Sequence, residues 1–302
     1  MALDYEQHLS DKLKSLYFDD SRYERLRTLI QEQCNDKTDG LVFAVRKDEI
    51  HIYYLGGRIL KITKSCDRLR FSFDLKYAKK QKGSDELNEY GDTVKKLNDN
   101  PYDVDLWLEY FDDLKRCIKN YRTNVSHNDE RQLQQNLELK NRDFYDEVIV
   151  IDNEYGAREI HSISSKLCKV DLVTLCRDNE KYKICLVELK CGDGSIDGKA
   201  GIIEHIKDFN TLIAKRRADI IASVNNLIEN KKLNHSLYNV PENLRLSQDT
   251  EICGSILCYD LSKTKKGTVE SSIKEQKITF DLHYKLDLDR RNHRLIKEDI
   301  LG

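Results

Sequence analysis

At 302 residues, with 39% hydrophobic and 34% charged side chains, the chain has room for one large domain or two medium ones, each with a substantial core. Its 51 Lys plus Arg nearly balance its 53 Asp plus Glu, and a formal net charge of -2 excludes a global positive field, leaving only a local basic surface open. The opening "MALDYEQHLSDKLKSLYFDD" lacks a basic start and an apolar run, and no apolar stretch of about 18 residues follows, so a cytoplasmic location and no membrane partner are expected.

Through residue 35 the apolar positions recur at helical spacing, in "YEQHLSDKLKSLYF" and "RYERLRTLIQEQC". Four short strand-like runs come next, "GLVFAVRK", "EIHIYYLG", "RILKIT" and "LRFSFDLKY", separated by Lys47-Asp48, Gly56-Gly57 and a polar stretch with Asp67. They predict an antiparallel meander. Residues 78–100 are polar enough to expect a mobile surface segment, and Pro101 is placed to open a helix over "PYDVDLWLEYFDDLKRCIKNY". The polar "RTNVSHND" sets the expected boundary: an α+β domain over 1–124 and a second domain over 125–302.

The second part begins with a helix, "NDERQLQQNLELKN", followed by strands "YDEVIVIDNEY", "KVDLVTLCRD" and "YKICLVELK". A Gly-containing turn leads to the helix "GIIEHIKDFNTLIAKRRADIIASVNNLI", and then to apolar runs "CGSILCYD" and "KITFDLHYKLDLD". Helix, three strands, helix, strand describes an α/β core with its sheet covered in part on both faces. The nine cysteines form an odd number without a C-x-x-C pair, and Cys168, Cys176, Cys185 and Cys191 lie in or beside apolar runs. Reduced thiols are the expectation.

Residues two apart on a strand share a face, so Glu188 and Lys190 point together, and Asp171 joins Val173 and Leu175 on the neighbouring run. If the two runs pair through the short turn between them, an Asp, a Glu and a Lys converge at one edge of the sheet. Two carboxylates offer the hard oxygens that Mg2+ prefers, and the Leu189 carbonyl supplies a third protein donor. An ammonium at Lys190 orients or deprotonates a water and offsets charge developing on a phosphate. A solvated Glu/Lys pair at a strand end is the plainer reading of the same residues. The sequence contains no G-x-S-x-G elbow, P-loop or G-x-G-x-x-G fingerprint to suggest another chemistry.

The segment from about 126 to 260, with Asp171 opening the second core strand and Glu188-x-Lys190 closing the third, resembles the PD-(D/E)xK nuclease superfamily. The resemblance implies a restriction-endonuclease-like central mixed sheet flanked by helices, and a Mg2+- or Mn2+-dependent nuclease. Asp171, Glu188 and Leu189 would hold the metal, Lys190 would assist the water and phosphate, and Glu130 would be the acid of the leading helix. Glu138, Asp146 and Glu147 compete with Glu130 for that place. Where many members carry Gln and, four residues later, an aromatic, this chain has His205 and Phe209, and Val170 stands where the family name has Pro. His205 is a candidate phosphate contact or a packing residue. Lys199, beside Asp197, and Lys207 are further candidate substrate contacts or solvated surface residues. DNA is favoured over RNA because it is the family's usual substrate. The N-terminal part is expected to serve recognition, a protein partner or a homodimer. The competing reading is a nuclease-like module that binds nucleic acid or protein without cleaving.

Overall fold

The computed structural model describes residues 8–80, 83–124, 129–158, 167–179, 181–196, 201–276, 278, 281–288 and 294–302. The chain divides into two compact units, parting between Leu139 and Lys140.

In the first unit, Ser10 caps a single turn, α1 (Asp11–Lys14), which runs through a π turn and a 3-10 turn into α2 (Glu24–Asn35). Strands β1 (Val42–Val45), β2 (Ile50–Tyr54), β3 (Gly57–Ser65) and β4 (Arg68–Ser72) pair antiparallel in chain order, as the meander predicts. Alternation places Ile50, Ile52, Ile62, Leu69 and Phe71 in the core. The β2–β3 turn is made by Leu55 (φ 48°) and Gly56 (φ 69°), the two left-handed positions of a tight hairpin, so Gly57 already belongs to the strand.

Helices α3 (Gly91–Asp99), α4 (Val104–Glu109), α5 (Phe111–Asn124) and α6 (Asp129–Lys140) complete this unit. The polar segment expected over 78–100 is thus helical in its second half, because Val94 and Leu97, three residues apart, are both fully buried. Pro101 does not open a helix. Its carbonyl accepts from the Phe71 N–H, and Asp103 instead caps α4 through the Leu106 N–H. The units part later than the polar stretch ending near 124 suggests, because the Gln135 side chain on α6 accepts from the Gly56 N–H and donates to the Gly40 carbonyl.

The second unit is a mixed five-stranded sheet in the order β5 (Val148–Arg158), β6 (Leu167–Asp178), β7 (Lys181–Cys191), β8 (Ile252–Tyr259) and β9 (Leu282–Leu288). The β5–β6 and β6–β7 ladders are antiparallel, while β7–β8 and β8–β9 are parallel. Parallel neighbours need a crossover. The first contains α7 (Ile202–Lys232) and the turn α8 (His235–Tyr238); the second contains α9 (Lys263–Lys274). A last turn, α10 (Lys297–Leu301), follows β9. Every residue of β8 is buried, which is the environment of an inner strand covered on both faces. The α/β class and mixed sheet expected from the sequence are therefore present.

Cys185 and Cys253 are register partners on β7 and β8, with Cα atoms 4.8 Å apart, and form a disulfide. This corrects the expectation of reduced thiols for that pair: in-register pairing brings together two side chains that lie far apart in sequence. Cys117, Cys176 and Cys258 are buried free thiols, Cys34 is buried, and Cys66 is exposed. No described helix is long and apolar enough to cross a membrane.

Candidate active site

The antiparallel β6–β7 register, which includes Leu172 opposite Val187, places Asp171 opposite Glu188 one step further along. Asp171 Oδ2 accepts from the Leu189 N–H at 2.8 Å, a side chain taking a main-chain donor where the backbone ladder ends. Two residues along β7, Lys190 projects to the same face as Glu188, and its Nζ lies 2.5 Å from Glu188 Oε1. Asp171, Glu188 and Lys190 are thus brought together, on the face the strand parity requires.

The opposing charges are deeply placed: Glu188 is 2% exposed and Lys190 5%. From α7, His205 extends its Nε2 to within 2.9 Å of the same Glu188 Oε1. Two nitrogens therefore converge on one carboxylate oxygen. The other, Oε2, is buried with no hydrogen-bond partner, as is Nδ1 of His205. An unsatisfied buried acceptor costs about 1–3 kcal/mol, and more when charged, so Oε2 is an atom that a cation would suit. Beside the cluster, Cys258 is the β8 register partner of Lys190, and burial pushes its thiol up to about 12. It remains a neutral thiol, leaving the carboxylates as the hard, anionic donors.

The local fold holds this arrangement at the carboxyl ends of two parallel strands, the customary ligand edge of α/β sheets. After β7, Gly192 turns the chain at φ 73°, and its N–H donates to the Tyr259 carbonyl at the end of β8. Asp193 then accepts from the Ser262 N–H at 2.9 Å, which lowers its carboxyl pKa, while Ser262 caps α9. Ile202 and Ile206 of α7 pack with Ile256 and Cys258 of β8 and with Val269 and Ile273 of α9. This packing fixes the helix from which His205 reaches Glu188.

The other candidates have the following surroundings. Leu189 is the register partner of Leu257 in the β7–β8 ladder, with its N–H taken by Asp171. Lys207 is exposed and ion-paired with Glu204 at 2.6 Å. Two residues correspond to about 200° of helix, so Lys207 and His205 point to different sides. Phe209, one turn after His205, is fully buried. Glu130 lies on α6 and is grouped with residues 7–139 rather than with the sheet that carries Asp171 and Glu188. Glu138, on the same helix, is buried, and Asp146 is ion-paired with Arg294. Lys199 and Asp197 lie outside the described residues.

Among the described residues, no three His, Cys, Asp or Glu side chains converge as a ready-made metal cage. Asp171 meets the Leu189 N–H, while the His205 imidazole meets the Glu188 carboxylate. Sequence reasoning named His205 but not its partner: the direct contact with Glu188 depends on how α7 crosses the sheet. The Gly192-Asp193 tie to Ser262 was also missed, although the Gly-Asp pair after the strand and the Ser before "KTKK" are ordinary turn and cap signals. The chain matches no known family model, curated protein or solved structure.

Proposed function

We propose that the chain is a divalent-metal-dependent nuclease of the PD-(D/E)xK type, hydrolysing phosphodiester bonds through Asp171, Glu188 and Lys190. The observation that carries the reading is the buried Glu188 carboxylate, with Lys190 and His205 on one oxygen and the other unsatisfied, next to the Leu189 N–H that Asp171 accepts just beyond the β6–β7 ladder. The strand order supports it: two antiparallel ladders followed by a helical crossover to a parallel strand, with the acidic residues at the helix-covered edge.

The residues fit a hard divalent cation such as Mg2+, with Mn2+ as its substitute. Asp171, Glu188 and the Leu189 carbonyl would hold it, leaving positions for water and a phosphate oxygen. Once bound, the ion acidifies a water and neutralises phosphate charge. Lys190 would orient an attacking water and stabilise charge developing on the phosphate, at low dielectric where the interaction is strong. His205 restrains the Glu188 side chain from the opposite element. DNA is the favoured polymer on the strength of the resemblance. Incubating wild type with labelled single- and double-stranded DNA and RNA, with Mg2+ or Mn2+ and with EDTA, identifies the polymer. Metal-dependent cleavage of one polymer supports the reading, and failure of folded, metal-supplied protein to cleave any polymer favours the binding module.

A further inference from the structure

The second face of the N-terminal sheet carries a pattern that the candidate active site does not use. Antiparallel partners share a face, and the register pairs His51 with Lys61, Tyr53 with Arg58, Lys61 with Ser72, Thr63 with Arg70 and Ser65 with Arg68. These side chains lie opposite the core set of Ile50, Ile52, Ile62, Leu69 and Phe71. Arg68 and Arg70 are exposed; Arg58, Lys61 and the intervening hydroxyl residues are half-buried.

Among the described residues the counter-charges on this face are Glu49, Asp67 and Asp74, the last paired with Lys76 at 2.9 Å and sensing the charge of Arg58. Glu49 binds Lys61 at 2.6 Å and His51 at 2.9 Å, and Asp67 stands 4.0 Å from Arg68. Among the described residues Arg70 has no ion-pair partner, and Arg58 Nε is buried with no hydrogen-bond partner. Tyr102 lies under the Arg68 guanidinium at 4.9 Å, with its hydroxyl 3.1 Å from Ser65 Oγ. Burial is the main cause that pushes His51 down to about 4; the Glu49 hydrogen bond opposes it, and the charges of Arg58 and Arg46 add to it.

Charged residues on an edge strand discourage sheet-to-sheet aggregation, and either sign serves that purpose. Here the charge is predominantly positive and extends from the edge strand β4 to Arg58 and Lys61 on the inner strand β3. Guanidinium groups, hydroxyls and half-exposed tyrosines are the chemistry that meets phosphates and bases. A strand surface offers a stacking platform for a single strand, whereas reading a duplex calls for a helix or ribbon entering a groove. We propose that this face docks single-stranded nucleic acid, with phosphates on Arg58, Arg68 and Arg70 and bases against Tyr53 and Tyr102. The proposal stands on the N-terminal unit alone and does not require catalysis.

The test is fluorescence anisotropy of the full chain with labelled single-stranded DNA, single-stranded RNA and duplex DNA, in EDTA and across a salt series. Wild type is expected to bind the single strands more tightly than the duplex. Arg68→Gln/Arg70→Gln should weaken single-strand binding about tenfold or more and reduce the slope of log affinity against log salt by about 1.4, or about 0.7 per lost contact. The control Lys12→Gln/Lys37→Gln, at two other exposed positions, should leave both unchanged. Unchanged affinity and slope in the arginine variant overturn the proposal; so does preference for duplex, or absence of binding by wild type. EDTA separates this outcome from cleavage, so either idea can fail without the other.

Discussion

The side chain on which most depends is Glu188, because it is buried beside an ammonium and an imidazole while one of its oxygens lacks a partner. Removing one member of a buried ion pair strands the other, at a cost on the order of 3 kcal/mol. Lys190→Met and Glu188→Gln are therefore each expected to lower stability by about that amount in urea unfolding, and the double variant should lose less than the sum. Additive losses would show that the two side chains do not act as a pair. A second residue-scale prediction concerns His51. Folding depresses its pKa from 6.5 to about 4, so between those values the unfolded chain takes up a proton that the folded protein refuses. Stability contributed by the neutral ring is complete above pH about 6.5 and declines as pH falls towards 4, by on the order of 2 kcal/mol. Unfolding measured at pH 7 and pH 4.5 should show this loss, and His51→Gln should reduce it. The trio was legible in the sequence because strand parity is a strict rule. Its contact with His205 was not, because helix placement on a sheet is a tertiary matter.

Elements impose their own demands, most sharply at the β2–β3 turn. Gly56 has φ 69°, and a Cβ there would stand 2.8 Å from the Arg131 backbone. Gly56→Ala should therefore destabilise the protein by about 2 kcal/mol in urea unfolding, combining left-handed strain with overlap against α6. A neutral result would show that α6 yields at that contact. The four-stranded meander was readable because its apolar residues alternate against polar ones, and the three strands leading to Glu188 because each is an apolar run bounded by turn residues. Helices α3 and α9 were harder. Val94 with Leu97, and Val269 with Ile273, give each only a narrow buried stripe amid polar sequence. Pro101 misled because its ring suits a helix start, yet its carbonyl is used to bind Phe71 and the cap falls to Asp103. Nor does strand pattern alone fix which strands become neighbours, so the Cys185–Cys253 bond was out of reach.

Across the whole molecule, a net charge of -2 averages over features that differ in kind: a sheet face bearing predominantly positive charge in one unit and the buried Glu188–Lys190 ion pair in the other. Composition argued only against a global field, and registers rather than totals reveal the local ones. On the reading proposed here, the first feature binds a polyanion and the second hydrolyses it. The measurement that tests the central claim most directly is single-turnover cleavage of the best polymer in Mg2+ by wild type and Lys190→Ala, with circular dichroism to verify that both are folded. The account predicts metal-dependent cleavage that stops in EDTA and slows about 100- to 1,000-fold in the variant, the scale of losing one charge-stabilising group. Cleavage equally fast in folded Lys190→Ala, or undiminished by EDTA, would contradict it.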